Sequence, residues 1–203
     1  MKIHFKGIYK GKDCELDYLD EYRETEHKPD AVKLPKRKKF LTLKAYLLAP
    51  FVLTLFSLLY FWRYSIKIDI VNIYAFTLIL LVFSLIQSIF LLPLHEVLHT
   101  VFNKKDSFIY FYPKKSYMFV ANIEEKSKAT KIAELLFPNI ILGFLPFIIG
   151  MILPQLKLIG ILGIAGIIPG TVDYMNTFFY LRHIPNGARI YSHKDDGIFW
   201  YKP

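Results

Sequence analysis

The chain has 203 residues, of which 54% are hydrophobic and 21% charged, and its mean hydropathy is +0.32. Disordered chains are poor in apolar residues, so this composition excludes intrinsic disorder, and it is more apolar than most soluble domains. The formal net charge is +9, and Cys14 is the single cysteine. One thiol excludes an internal disulfide and a cysteine-based zinc cluster, so any metal must be held by histidine and carboxylate side chains.

The amino-terminal segment, 1–44, is predicted to be a charged cytoplasmic arm. Seven acidic residues lie between positions 13 and 26, and a basic cluster at 36–39 stands directly before the first apolar run. On a soluble surface such a basic cluster would suggest a nucleic-acid partner. Next to a membrane span it indicates an anchor for lipid headgroups, so we expect contact with the bilayer and no nucleic acid.

Four long apolar runs predict an all-α polytopic membrane protein with about four transmembrane helices. A hydrocarbon core of roughly 30 Å requires about 20 apolar residues of helix. The runs at 45–62, 70–94 and 135–156 meet or approach this length, and the fourth, 158–181, does so only by including Asp173. Residues 45–181 are therefore expected to form the membrane domain, and 182–203 a cytoplasmic carboxy-terminal tail.

The distribution of lysine and arginine predicts how these spans are oriented. Residues 1–44 carry 12 of these residues and 103–131 carry 7, whereas the connections at 63–69 and at Lys157 carry 2 and 1. Basic residues are retained on the cytoplasmic side of membrane proteins. Both termini and the central loop of a multi-pass cell-membrane protein are therefore expected in the cytoplasm.

The second predicted span ends in HEVLH at 95–99, an HExxH motif. Residues four apart lie on one face of a helix, so His95 and His99 can bind one Zn²⁺ with Glu96 beside it. Zinc lowers the pKa of a coordinated water to about 7, and a neighbouring carboxylate can accept the proton of that water. The motif therefore predicts two zinc ligands and a catalytic base, Glu96.

A small cytoplasmic β-hairpin is predicted at 107–122, directly after the motif. Two aromatic and β-branched runs flank a four-residue turn at 113–116, which is a hairpin pattern. An exposed edge of this hairpin could hold an extended peptide by main-chain hydrogen bonds.

A zinc site needs a third protein ligand, and several residues compete for that role. Asp173 lies in a predicted span, where a free charge costs at least ~2.5 kcal/mol and so requires a partner. Glu124 and Glu125 follow the hairpin in the predicted cytoplasmic loop, where a solvated carboxylate needs none. Glu134 and His183 are further candidates. We expect Asp173 to be the ligand, with Glu124 or Glu125 as the alternative.

The motif, the hairpin and the IPGTVD run at 168–173 resemble the site-2 protease superfamily of intramembrane metalloproteases. More closely, they are similar to small bacterial membrane proteins classed as zincin peptidases, over about 70–190. This resemblance implies that both motif histidines and Asp173 bind zinc, that Glu96 is catalytic and that the substrate adds as an extended strand. It also implies a role for Asn139 in positioning the scissile carbonyl.

The predicted function is that of a zinc-dependent peptidase acting on membrane or membrane-proximal proteins through metal-activated water. One alternative is a membrane metal-binding or scaffolding protein without peptidase activity, which would not need Glu96. Another is that the histidines only end an amphipathic helix while Glu96 pairs with Lys104 or Lys105. A transporter is disfavoured, because the spans hold too few ionisable residues for an ion relay. The substrate sequence and the oligomeric state are left open.

Overall fold

A computed structural model describes residues 2–8, 28–35, 39–112, 117–122, 124–193 and 197–203. The acidic stretch of the predicted arm with Cys14, most of the basic cluster at 36–39, and the predicted hairpin turn at 113–116 lie outside these residues.

The described residues are mostly helical. The α-helices are α1 (Lys39–Arg63), α2 (Ile70–Ile86), α3 (Leu92–His99), α4 (Lys128–Asn139), α5 (Leu145–Ile152), α6 (Lys157–Ile167) and α7 (Thr171–His183). The π-helical segments Gln87–Leu91 and Ile140–Phe144 join α2 to α3 and α4 to α5, and a 3-10 turn at Pro154–Leu156 precedes α6. The strands are β1 (Ile3–Ile8), β2 (Val32–Lys33), β3 (Ser107–Tyr112), β4 (Tyr117–Ala121), β5 (Lys126–Ser127), β6 (Arg189–His193) and β7 (Gly197–Tyr201).

These strands form two sheets, which corrects the prediction of an all-α protein. In the first, of order β1-β3-β4, β3 and β4 pair antiparallel with Phe108 opposite Ala121, as predicted for 107–122, and β1 pairs parallel with β3. In the second, of order β2-β7-β6-β5, two strands come from the predicted tail. The strands outside the predicted hairpin were not expected from the sequence, because several of them pair with partners distant in the chain.

Two continuous helical segments among the described residues are long and apolar enough to cross a membrane, Ile70–His99 and Lys128–Ile152. A third, formed by Pro154–Ile167 and Thr171–His183, is bent by 53° at its break, as in a broken span or a re-entrant loop. The first predicted span falls in α1, whose described apolar part, Leu47–Arg63, is shorter. The described residues therefore hold two helices of spanning length, or three if the bent pair counts as one.

Each of the two π-helical segments ends two residues before a proline. Gln87–Leu91 precedes Pro93, and Ile140–Phe144 precedes Pro146. Proline lacks an N–H and its ring collides with the carbonyl four residues earlier in a regular α-helix. The wider turn lets Leu92 donate its N–H to the carbonyl five residues earlier. The helix therefore continues through Pro93 into the motif.

By its internal contacts the chain divides into two compact units. One comprises Met1–Arg37, Glu96–Leu135 and Asn176–Pro203, and its described residues include both sheets. Its buried side chains include Ile109, at 1% exposure.

The other unit comprises Lys38–His95 and Leu136–Met175 and is helical throughout its regular structure. Its buried hydrophobic cluster consists of Tyr60, Phe61, Phe76, Leu80, Phe147, Ile161, Ile164, Ala165 and Ile167.

The helices of this second unit also expose large apolar side chains. Leu78, Leu81 and Leu85 on α2 are each 62% exposed. Only 18% of the most apolar stretch of Ile70–His99 is buried. Apolar surface of this extent marks contact with a membrane or with another apolar surface.

Candidate metal centre

The HExxH motif is helical, as predicted, because α3 extends to His99. His95 and His99 lie one turn apart, and side chains at this spacing share a face of the helix. Glu96 and His99 are both buried, at 9% exposure. The motif therefore presents two imidazoles and a buried carboxylate on one short helix.

The structure brings three of the predicted ligands together. His95, His99 and Asp173 each offer one ligand atom, and these atoms all lie within 4.8 Å of one another. Nε2 of His95 is 3.2 Å from Oδ2 of Asp173, and these two side chains are 15% and 13% exposed. Two imidazole nitrogens and one carboxylate oxygen suit Zn²⁺ and leave a fourth tetrahedral position open. The three residues could hold a zinc ion.

Asp173 lies in the first turn of α7, directly after the bend that separates α6 from α7. Asn139, fully buried at the end of α4, donates from Nδ2 to Oδ2 of Asp173 at 3.0 Å. A Cβ atom at Gly170 would lie 1.8 Å from Oδ1 of Asn139. Glycine is therefore required at position 170 for the Asn139 amide to reach the aspartate.

A backbone carbonyl orients His99. Nδ1 of His99 lies 2.8 Å from the carbonyl oxygen of Glu134. Since a carbonyl can only accept a hydrogen bond, Nδ1 carries the proton and the lone pair of the neutral ring is on Nε2. Metal-binding histidines are usually held in this way, with the second ring nitrogen bonded to a backbone or carboxylate oxygen. The arrangement thus fits a metal ligand.

The side chain of Glu134, a candidate ligand in the sequence, is engaged by lysines. It pairs with Lys126 and, at 2.9 Å, with Lys131. Lys126 also donates to Asn103, and both Lys126 and Glu134 are 5% exposed. Burial lowers the pKa of the Lys126 ammonium, and the nearby charge of Lys131 lowers it further. Glu134 therefore contacts the site through its backbone carbonyl, which accepts the hydrogen bond from His99. Sequence motifs do not encode such a backbone contact.

The remaining candidates have other partners. Glu124 accepts hydrogen bonds from two consecutive backbone N–H groups in the loop after α3, at 2.6 and 3.2 Å. Glu125 accepts one from the Tyr201 hydroxyl at 2.8 Å, which raises the pKa of that phenol. His183 donates from Nδ1 to the carbonyl four residues earlier. Of the competing third ligands, the geometry favours Asp173.

The region around the HExxH motif is similar to a known protein family. Residues 88–189 match the model of a family described as "Putative zincin peptidase". This match spans half of the chain and includes the HExxH motif and Asp173. No curated protein and no solved structure matches the chain. The chain belongs to this zincin peptidase family.

Proposed function

We propose that the chain is a zinc-dependent peptidase of the site-2 protease type that hydrolyses peptide bonds within or next to the membrane. The observation that carries the proposal is that ligand atoms of His95, His99 and Asp173 lie within 4.8 Å of one another. The buried Glu96 lies on the same helix as the two histidines. Membership of a zincin peptidase family supports the same chemistry.

His95, His99 and Asp173 would hold the zinc ion, the two histidines through Nε2. Zinc bound there supplies Lewis-acid chemistry, which activates water and polarises the scissile carbonyl. Asn139 keeps the Asp173 carboxylate oriented, and the Glu134 carbonyl does the same for the His99 ring. Both ligands are thus held in place by groups on α4.

Glu96 is the general base of the proposed reaction. It accepts a proton from the attacking water and transfers it to the nitrogen of the leaving amine, so that the carboxylate is regenerated. Its burial supports this role, because a carboxylate in a site of restricted water interacts more strongly with developing charge. In a metal-binding or scaffolding protein without peptidase activity, Glu96 would have no role as a general base.

We further propose that the chain crosses the cell membrane four times, through 45–62, 70–94, 135–156 and 158–181, with both termini in the cytoplasm. The two helices of spanning length and the exposed leucines of α2 support insertion in a bilayer. The distribution of basic residues supports the orientation.

The substrate in this proposal is a membrane or membrane-proximal protein, bound in extended form at a sheet edge. The predicted hairpin consists of β3 and β4, and β3 is the central strand of the three-stranded sheet, between β1 and β4. The hairpin strand at the edge of the described sheet is therefore β4. A peptide strand beside β4 would be held by main-chain hydrogen bonds. An extended peptide also exposes its carbonyls, which a helix occupies in i to i−4 bonds.

The test of this function is the Glu96→Gln variant of the full chain, reconstituted in vesicles with a panel of single-span peptides whose cleavage is followed by mass spectrometry. Zinc content should be retained, and cleavage should fall by at least ~10², the scale of losing a general base. Glu125→Gln is the matched control, because this glutamate bonds to Tyr201 instead, and it should cleave as the wild type does.

Undiminished cleavage by Glu96→Gln would contradict the assigned base. A wild-type protein that binds zinc and cleaves none of the panel would favour the metal-binding alternative.

A further inference from the structure

Pro138 interrupts the hydrogen bonding of α4 without ending the helix. The helix runs through this buried proline to Asn139. In an α-helix each N–H bonds to the carbonyl four residues earlier, so residue 138 would donate to the carbonyl of Glu134. Proline has no N–H, and its ring pushes against that same carbonyl. The intrahelical bond to Glu134 therefore cannot form.

The carbonyl that Pro138 leaves without its helical donor is the one that His99 uses. Nδ1 of His99 donates to the oxygen of Glu134 at 2.8 Å, and His99 is buried. A buried carbonyl needs a hydrogen-bond donor, and here the imidazole provides it in place of the missing amide. The sequence position of the proline and the contact of the histidine thus concern the same oxygen atom.

We propose that Pro138 is a positioning residue for His99. By withholding the amide that would bond to Glu134, it makes this carbonyl the acceptor for Nδ1–H and so directs the Nε2 lone pair of His99 toward the metal. The inference rests on the proposed zinc site, but it concerns the tautomer and orientation of His99, which exist before any metal binds.

Two neighbouring features support this role. The side chain of Glu134 is fixed by Lys126 and Lys131, so its backbone has little freedom to turn the carbonyl away from His99. The residue after the proline, Asn139, donates to Asp173. The last two turns of α4 therefore provide partners for two of the three ligands.

The experiment compares two replacements that share a methyl side chain and differ only in the backbone atom. Pro138→Ala restores an N–H at position 138. Replacement of Pro138 by the α-hydroxy acid analogue of alanine, introduced by nonsense suppression, places an ester oxygen there and restores no donor. Both remove the proline ring, so packing changes equally. Pro50→Ala, in the interior of α1, controls for loss of a helical proline elsewhere.

The readout is the tautomer of His99 in the metal-free full chain, measured by ¹⁵N NMR of histidine-labelled protein in nanodiscs, with His99→Gln to assign its signals. The wild type, Pro50→Ala and the ester variant should hold His99 as the Nδ1–H tautomer. Pro138→Ala should populate the Nε2–H form, and its zinc affinity should fall about 10-fold to 100-fold, the usual effect of removing an outer-shell partner.

Equal tautomer populations in the alanine and ester variants would overturn the proposal, because the effect would then be one of packing. A wild type with His99 as Nε2–H would overturn it as well, even if Pro138→Ala does not fold. The expected tautomer difference in a protein that binds no zinc would count against the proposed function and leave this inference standing.

Discussion

The buried amide of Asn139 donates a hydrogen bond to Oδ2 of Asp173 at 3.0 Å, and the same oxygen lies 3.2 Å from Nε2 of His95. The aspartate is therefore held between an amide from α4 and an imidazole from α3. Such a contact fixes the direction of the carboxylate, which a metal ligand requires.

Asn139→Ala should weaken zinc binding about 10-fold to 100-fold, because the carboxylate of Asp173 loses the partner that orients it. Competition with a chelator measures this affinity. Asn72→Ala is the matched control, since Asn72 lies at the start of α2 and bonds to Asp69. Equal zinc affinity in Asn139→Ala and the wild type would show that the amide does not support the site.

Gly170→Ala should also weaken zinc binding, as Asn139→Ala does. The added Cβ would lie 1.8 Å from Oδ1 of Asn139, so the amide must move away from Asp173. Gly187→Ala is the control: its φ of +80° disfavours a side chain, but nothing lies within 4 Å of the added atom. That variant should lose about 1 kcal/mol of unfolding free energy and keep its zinc affinity. If Gly187→Ala lost more zinc affinity than Gly170→Ala, a contact between a Cβ atom at position 170 and Asn139 would not be what limits zinc binding.

Impermeant thiol labelling tests the proposed orientation in the membrane. Single cysteines placed at Asp69 or Lys157 should react from outside the cell, because these connections carry few basic residues. Cys14 and a cysteine at Lys115 should stay protected until the membrane is opened. The reverse pattern would place the HExxH motif on the outer side.

The contact between His4 and Asp106 predicts a pH dependence of stability. The hydrogen bond from His4, at 3.0 Å, and a second from the backbone N–H of Lys2 lower the pKa of Asp106 below its ordinary 3.8. Because the folded-state pKa is the lower one, the stabilisation is present above pH 3.8 and is lost as the pH falls through the folded value.

Thermal unfolding of Asp106→Asn against the wild type measures this effect. The wild type should unfold at a higher temperature at neutral pH, by a small margin because the pair is exposed, and the two should converge in acid. A constant difference at all pH values would contradict an electrostatic cause.

The approach of His95, His99 and Asp173 to one another was largely predictable, because these residues carry local or energetic signals. The spacing of His95 and His99 is the helical spacing, and the structure places both on α3. Asp173 stood out because a charge in an apolar run needs a partner, and it lies beside His95. The acceptor for His99 was missed because a backbone carbonyl has no residue signature. Only the proline four residues after Glu134 indicated that this carbonyl lacks its helical donor.

The fold was less predictable where pairing joins distant segments. The parallel partner of β3 is β1, about 100 residues earlier, and no local pattern predicts such a pair. β6 and β7, by contrast, are neighbours in the chain, and Asp196-Gly197 between two aromatic runs is a hairpin signal that the tail assignment overlooked. The bend between α6 and α7 follows from Pro169 and Gly170, which the count of apolar residues ignored.

The zinc content of purified, folded protein, measured by mass spectrometry, tests directly whether His95, His99 and Asp173 bind zinc. We predict one zinc per chain in the wild type and in Glu124→Gln and Glu125→Gln, and loss of zinc in Asp173→Ala. Retention of zinc by Asp173→Ala together with its loss in either glutamate variant would show that a loop glutamate is the third ligand. A folded wild type without zinc would show that the three residues do not form a zinc site.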